Sequence, residues 1–236
     1  MHDASVSTSR YALYFSPGEA TSLAQLGGNW LGRDTTTNKS ALPQLPEEII
    51  SSEWFRVTES ARRYGFHATL KPPFKLAEGT SVNDLRLALR SFANRKASFL
   101  APHLIVGQVG HFLALILSES SRALCDLADD CVRDFDHFRA PASGAETNKR
   151  MQDSMTASER ENLLRWGYPY VFDTWKFHMT LTCSLESDLL AVFHRHLQER
   201  FRESCDQPLH IDSICLYEEP AAGMPFRLLE RFAFGL

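Results

Sequence analysis

The 236-residue sequence predicts an α+β fold made of two related halves, and three observations lead to that prediction. Short apolar and aromatic runs, such as "RYALYF" at 10–15, are typical of β-strands. Segments with apolar residues every three or four positions, such as 81–96, are typical of amphipathic helices. The order strand, helix, two strands occurs twice, and each copy begins with Phe-His-x-Thr-Leu. We therefore predict a single two-lobed domain over 1–236, with approximate repeat halves at 60–136 and 170–236.

The first half shows clear strand runs and one helix cap. A turn signal, Ser16-Pro17-Gly18, ends the first strand, and Ser81 stands where a helix N-cap is expected. The polar residues after the first strand indicate no secondary structure. The predicted elements are strands at 10–15 and 66–70, a helix at 81–96, a hairpin from 103–109 and 111–117, and a helix around 124–135.

The second half begins after a polar segment, 139–155, that has no sustained periodicity and predicts an insertion or mobile loop. Thr156 and Glu159 form a capping box for a helix that ends at Gly167. Further along, the pattern predicts a strand at 175–182, a helix over 189–201, and strands at 208–217 and 226–234.

Composition excludes several classes of function. A net charge of −4 is unlike that of proteins that neutralise long stretches of nucleic acid, although residues 62–75 carry four cations and no acid, which favours a small anion. Five cysteines without a CxxC motif predict neither a disulfide framework nor a usual structural zinc site. No apolar run approaches a membrane span, and the N-terminus lacks the apolar centre of a signal peptide. We expect a cytoplasmic monomer.

The repeated His-x-Thr pattern predicts a phosphate site. Because side chains alternate along a strand, His67 and Thr69 share one face, and His178 and Thr180 do the same in the second copy. Two imidazoles and two hydroxyls suit a tetrahedral phosphate: one histidine takes a proton from water while the other gives one to the leaving oxygen. A single such histidine would more often be structural. The repetition favours function, and the chemistry requires no metal or other cofactor.

Other site types have weaker support in the sequence. A metal site from His67 and His178 stays open, but the HxxxH spacing common in catalytic zinc sites is absent. No GxSxG segment marks a serine nucleophile, and Cys183 is interpreted as a packing residue.

Several stretches resemble one family. They are "RYALYF", "NWLGRD", "RRYGFHATLKPPF", "FDHFRAP", "RWGYPYVFD", "KFHMTLT" and "PFRLLERF". The paired motifs resemble those of the 2H phosphoesterases, which include RNA ligase-like and cyclic phosphodiesterase proteins. The flanking stretches are similar to the DUF1045 family within that group, a family associated with phosphonate metabolism.

The resemblance implies a pseudo-symmetric fold in which antiparallel sheets, flanked by helices, surround a central cleft. It implies metal-independent hydrolysis of a cyclic or 2′-linked phosphodiester, with His67 and His178 as the acid–base pair and Thr69 and Thr180 on the phosphate. Our preferred base is His178, although the sequence does not decide between the two. The family's association with carbon–phosphorus lyase gene sets makes phosphoribosyl 1,2-cyclic phosphate the sharpest substrate hypothesis.

Further side chains are candidates for binding the substrate. Lys71 is predicted on the face of His67, within reach of a second phosphate, and Arg63 precedes the same strand. The remaining candidates are Arg33, Arg139, Tyr168 and Tyr170, and for both tyrosines packing of a loop is the preferred role. Two alternatives stay open. One is hydrolysis of RNA ends or nucleoside 2′,3′-cyclic phosphates, and the other is a phosphate-binding module without turnover.

Overall fold

Eight strands form one antiparallel sheet in the computed structural model, which describes residues 9–40, 43 and 45–235. In chain order they are β1 (Arg10–Phe15), β2 (Ala68–Phe74), β3 (Phe99–Val109), β4 (Phe112–Leu117), β5 (His178–Thr180), β6 (Pro208–Ile211), β7 (Ser213–Glu219) and β8 (Arg227–Ala233). Across the sheet their order is β6-β3-β4-β5-β2-β1-β7-β8, and each neighbouring pair is antiparallel. The α+β prediction is confirmed, but as one sheet rather than separate sheets.

Helices connect these strands. They are α1 (Ser22–Leu31), α2 (Ser51–Tyr64), α3 (Val82–Asn94), α4 (Arg122–Asp134), α5 (Gly144–Arg150), α6 (Ala157–Trp166) and α7 (Ser187–Cys205). The caps predicted at Ser81 and Thr156 are both present as complete capping boxes, since each hydroxyl accepts a backbone N–H and each partner carboxylate accepts the N-cap N–H. Local capping chemistry therefore defined the starts of α3 and α6 correctly.

Three helices lie where the sequence indicated none. In α1 and α2 several apolar residues are buried, including Trp30 and Trp54, and the polar side chains around them obscured the periodicity. Within 139–155, α5 begins at a capping box of Ser143 and Glu146, so the centre of the predicted insertion or mobile loop is helical. Because α5 buries no side chain, its apolar pattern could not reveal it.

The two halves of the sheet do not coincide with the two sequence halves. Strands β3 and β4 follow β2 in the chain but pair on the side of β5, whereas β7 and β8 follow β5 but pair on the side of β1 and β2. The repeat halves 60–136 and 170–236 therefore interleave in the sheet, and the two-lobed organisation stays a prediction. Each half of the sheet contains strands from both copies, and the motif strands β2 and β5 meet at its centre.

The main hydrophobic core covers one face of the sheet. Ala68 and Met179 are completely buried there, α4 packs on β2, and α7 packs on β3. A smaller cluster on the other face contains Tyr14, Tyr217 and Phe226. The motif strands thus have a closed apolar face and a face left for chemistry.

The N-terminal segment, for which the sequence predicted no signal peptide, lies largely outside the described residues. Residues 1–8, on which the absence of a signal peptide was argued, lie outside the described residues. In the described part of the chain, none of the helices has the length and apolar character needed to span a bilayer.

Two adjacent glycines in α1 allow a matched test of packing beneath a motif strand. A Cβ added at Gly27 would overlap the buried ring of Phe66, whereas one at Gly28 would meet only the carbonyl oxygen of Arg33, at 3.6 Å. We expect Gly27→Ala to lower the free energy of unfolding by about 1–3 kcal/mol through overpacking. Gly28→Ala should be neutral or raise it by up to roughly 1 kcal/mol, because alanine favours the helix. Urea unfolding of both variants measures the difference, and equal values would contradict the packing described.

Candidate active site

The two His-x-Thr segments lie side by side on paired antiparallel strands. Ala68 of β2 pairs with Met179 of β5, and both point into the core. Because neighbouring side chains alternate, the flanking histidine and threonine of each strand lie on the opposite face. The antiparallel register sets each histidine across from the threonine of the other motif. The two imidazoles therefore occupy one diagonal of a four-residue arrangement, with Cα atoms roughly 7–8 Å apart, and the two hydroxyls occupy the other.

His67 is oriented by its own backbone and by an aromatic ring. Its Nδ1 lies 2.9 Å from the carbonyl oxygen of Gly65, which can only accept, so Nδ1 carries the proton and Nε2 presents a lone pair in the neutral ring. The Thr69 hydroxyl lies 3.3 Å from Nε2, and the Tyr14 ring stacks on the imidazole with centroids 3.8 Å apart. Burial lowers the pKa of His67 to about 4; the Gly65 hydrogen bond opposes this shift, and His178 adds to it. His67 is therefore neutral at pH 7.

The carbonyl that holds His67 depends on a glycine. Gly65 ends α2 with φ of +83°, a backbone conformation that residues other than glycine rarely adopt. A Cβ at this position would also overlap Thr35. The chain can therefore turn sharply from α2 into β2 while its carbonyl faces the imidazole two residues later.

His178 repeats the same arrangement on the second strand. Its Nδ1 lies 2.9 Å from the carbonyl oxygen of Lys176, again two residues earlier, so Nε2 is again the nitrogen left for the cleft. The indole of Trp175 donates to the carbonyl oxygen of Thr69 at 2.8 Å. This hydrogen bond ties the approach to β5 directly to β2.

A cavity of about 700 Å³ lies over the motif face, and all four motif residues line it. Its volume is within the range of small-molecule sites. Tyr168 and Tyr170 also line it, with their rings edge to face at 5.6 Å, and Tyr170 is 45% exposed. The structure thus brings both tyrosines to the cleft, whereas packing was the preferred interpretation of their sequence.

Sequence reasoning missed the cationic residues of this cavity. Arg10, Lys149 and Arg150 line it together with one carboxylate, Glu146. Glu146 is already paired with Lys75 at 3.3 Å. The Lys149-Arg150 pair was visible in the polar 139–155 segment, but nothing in the sequence indicated that α5 lies at the cleft.

Lys71 does not share the face of His67, so that prediction is corrected. Tyr14 of β1 pairs with Thr69, but the preceding residue, Leu13, pairs with Lys71, so β2 contains one extra residue at this point. Such a bulge reverses the alternation of side chains that follow it. Lys71 is 2% exposed and donates to the carbonyl oxygen of Val132 and to Asp136.

The three predicted arginines are not among the described residues that line the main cavity. Arg63 pairs with the buried carboxylate of Glu219. Arg33 is buried and donates to main-chain carbonyl oxygens, including those of residues 62 and 63. Arg139 holds Asp136 with two hydrogen bonds. Burial of a guanidinium requires such partners, and the sequence did not reveal them.

The described residues do not form a metal-binding cluster. Among the residues that the structure describes, no group of three His, Cys, Asp or Glu side chains is arranged to hold a metal ion. The cavity that holds the two imidazoles is lined by hydroxyls and tyrosines and by a single carboxylate, that of Glu146, among its described residues.

Comparison with known families decides where the chain belongs. The family model described as a protein of unknown function, DUF1045, matches residues 69–227. The chain belongs to the DUF1045 family. The match includes His178 and both motif threonines of this DUF1045 protein.

Curated relatives of this DUF1045 protein are longer than the chain. It is 35% identical over 238 residues to a protein of Janthinobacterium sp. (strain Marseille), and 36% identical over 222 residues to one of Laribacter hongkongensis (strain HLHK9). Both relatives are named "Ribose 1,5-bisphosphate phosphokinase PhnN". The matches cover 98% and 93% of this chain but 52% and 50% of the relatives, so the chain spans about half their length.

Two solved structures resemble the chain over nearly its whole length. E. coli LigT complexed with 3′-AMP aligns with a TM-score of 0.42 at 13% identity, covering 97% of this chain and 99% of that one. A crystal structure of a phosphoesterase aligns with a TM-score of 0.42 at 12% identity and the same coverage. Both likenesses are too distant to transfer a function to the DUF1045 protein.

Proposed function

We propose that this protein is a metal-independent phosphodiesterase that opens a cyclic phosphodiester with two histidines. One observation carries the proposal: the two His-x-Thr segments are adjacent on β2 and β5, and all four polar side chains line one cavity. A phosphate between them would have an imidazole on each side, as in-line displacement requires, and a hydroxyl donor at each remaining corner.

The proposed reaction adds water across one phosphorus–oxygen bond. Nε2 of neutral His67 accepts a proton as a water oxygen attacks phosphorus, and the bond to the leaving ester oxygen breaks on the opposite side. Nε2 of protonated His178 gives its proton to that oxygen. The product is a phosphomonoester with a free hydroxyl, and proton exchange with solvent restores both imidazoles. Thr69 and Thr180 donate to the nonbridging oxygens throughout.

His67 is the better candidate for the base. Its burial against Tyr14 and its hydrogen bond to Gly65 favour the neutral ring with a lone pair on Nε2, which is the form a base needs. This proposal reverses the preference for His178 drawn from the sequence.

A phosphorylated ribose is the proposed substrate, with phosphoribosyl 1,2-cyclic phosphate as the specific candidate. The cavity is large enough for a sugar phosphate, and its arginine and lysine side chains suit an anion. The names of the curated relatives refer to a phosphorylated ribose, although their kinase activity belongs to proteins about twice as long. The resemblance to DUF1045 proteins of phosphonate metabolism supports the same substrate class.

Nucleoside 2′,3′-cyclic phosphates form the second candidate class. Tyr64, Tyr168 and Tyr170 line the cavity, and an exposed ring such as that of Tyr170 can stack on a base. Comparing kcat/KM for phosphoribosyl 1,2-cyclic phosphate and for nucleoside 2′,3′-cyclic phosphates distinguishes the classes. A higher kcat/KM for the sugar phosphate supports our proposal. A higher kcat/KM for the nucleotides would mean that the substrate is a nucleoside cyclic phosphate, hydrolysed by the same two-histidine chemistry.

The role of His67 predicts the acid side of the pH profile. Protonated His67 cannot accept a proton, so kcat/KM should fall as the pH is lowered through about 4, the value to which burial lowers the pKa of this group. The measurement is kcat/KM against pH, with circular dichroism at each pH to verify folding. An acid limb near 6.5, the ordinary histidine value, would contradict a buried base.

A further inference from the structure

A second, smaller cavity opens beside the catalytic one. It measures about 80 Å³, roughly the volume of two or three water molecules, which is the scale of one phosphate group. Both cavities are lined by Arg10, Arg150, Glu146 and the Pro72-Pro73 pair, so the two cavities lie next to each other at these residues. The bulged strand β2 forms one wall, and the segment 139–142 contributes to another.

This side cavity is strongly cationic on a protein of net charge −4. The cations of its described lining are Arg10, Lys71, Lys75, Arg139 and Arg150, against the single carboxylate of Glu146. Lys71 is buried and Arg10 and Arg139 are half-buried, so solvent screens their charges less than those of the exposed Lys75 and Arg150. The lining therefore attracts anions.

Internal ion pairs leave much of this charge uncompensated. The carboxylate of Asp136 forms ion pairs with both Lys71 and Arg139. The carboxylate of Glu219 forms ion pairs with both Arg10 and Arg63. Each of these groups of three retains one positive charge.

Lys75 and Glu146 neutralise each other, whereas Arg150 donates to a neutral acceptor, the carbonyl oxygen of Gly167. Among the described side chains, the five cations that line the side cavity thus stand against three carboxylates, Asp136, Glu219 and Glu146, and Glu219 is shared with Arg63 outside the cavity; at least two positive charges are left for an external anion.

We propose that the side cavity binds a second phosphate group, a phosphomonoester carried by the same substrate whose cyclic ester lies between His67 and His178. The inference rests on the proposed function and assigns a binding position to the phosphomonoester of the proposed sugar cyclic phosphate. Arg10 and Arg150 stand at the junction of the cavities and would contact that phosphate, since a guanidinium fork matches phosphate oxygens.

The state of Lys71 fits this role. Burial lowers the pKa of Lys71 to about 8, against the opposing effect of Asp136. Its ammonium has three donors, and two contacts, to Val132 and Asp136, are described. A phosphate dianion nearby would counter the cost of burying this charge.

The test compares two substrates that differ only in the second phosphate: 5-phosphoribosyl 1,2-cyclic phosphate and ribosyl 1,2-cyclic phosphate. The wild-type protein should prefer the phosphorylated substrate, and Arg150→Ala should reduce the ratio of the two kcat/KM values about 10- to 100-fold, as expected for loss of a charged hydrogen bond. The matched control is Arg122→Ala, because Arg122 is 90% exposed, pairs only with Asp126 in the described structure, and lines neither cavity. This control should leave the ratio unchanged.

Failure of the inference is distinguishable from failure of the proposed function. Equal kcat/KM values for the two substrates, or a ratio in Arg150→Ala equal to that of the wild-type protein, would overturn the proposed subsite. Neither result would contradict the proposed phosphodiesterase activity. If neither substrate is hydrolysed, the proposed function fails, and calorimetric titration with ribose 5-phosphate tests the subsite alone. Binding weakened at least about 10-fold by Arg150→Ala and unchanged by Arg122→Ala supports it; absence of binding, or equal binding in both variants, overturns it.

Discussion

His67→Ala is expected to lower the rate of cyclic phosphodiester hydrolysis by about 100- to 10,000-fold, the usual contribution of a positioned general base. The imidazole is the group held by Gly65 and Tyr14 with Nε2 left for the substrate, and alanine removes the proton acceptor entirely. His178→Ala should have an effect of similar size because the general acid is lost. The measurement is kcat for each variant on phosphoribosyl 1,2-cyclic phosphate.

Controls separate catalysis from folding. His210→Ala is a matched histidine variant, since His210 lies on β6 with its side chain 57% exposed, away from the cleft. It should retain full activity, and circular dichroism should show both cleft variants folded. Unfolding of His67→Ala would assign this histidine a structural role. Undiminished hydrolysis by the variant would show that His67 is not the base.

Trp30→Ala should lower the free energy of unfolding by about 3–5 kcal/mol, the range for removing a large aromatic side chain from a core. Trp30 is completely buried, packs edge to face on Phe193, and donates from Nε1 to the carbonyl oxygen of Leu181 at 2.9 Å. Its own carbonyl oxygen accepts from Trp54 at 2.9 Å. Alanine would leave a cavity and an unpaired acceptor where α1 meets the end of β5.

An exposed aromatic residue provides the comparison. Phe55 is 55% exposed on α2, where its ring contacts Arg62, so Phe55→Ala should change the free energy of unfolding by less than about 1 kcal/mol. Chemical denaturation of the three proteins measures both differences. A loss below roughly 1 kcal/mol for Trp30→Ala would show that α1 does not pack under the motif strand as described.

Local patterns in the sequence were sufficient to predict that the histidine and threonine of each motif share a face, and to predict much of the fold. Side chains alternate between the two faces of a strand, so the sequence alone predicted that His67 lies on the face of Thr69 and His178 on the face of Thr180. This prediction spans only three residues and does not depend on distant contacts. Ser81 and Thr156 marked their helices for the same reason, since a capping box is complete within four residues.

Features that depend on distant partners were not predictable in this way. The position of Lys71 depends on a bulge defined by its pairing with Leu13, almost sixty residues earlier. The interleaving of the two halves depends on which strands pair, and the motif repeat contains no information about that. Arg150 reaches the cleft through the packing of α5 against α6, which its polar sequence does not indicate.

Phosphorus NMR of the purified protein with phosphoribosyl 1,2-cyclic phosphate in excess EDTA tests the central claim most directly. A metal-free mechanism with two histidines predicts that the cyclic ester is opened to a phosphomonoester in the presence of the chelator, and that the double variant His67→Ala, His178→Ala leaves it intact. Ring opening that stops when EDTA is added, or that continues in the double variant, would contradict a metal-free mechanism carried by these two histidines.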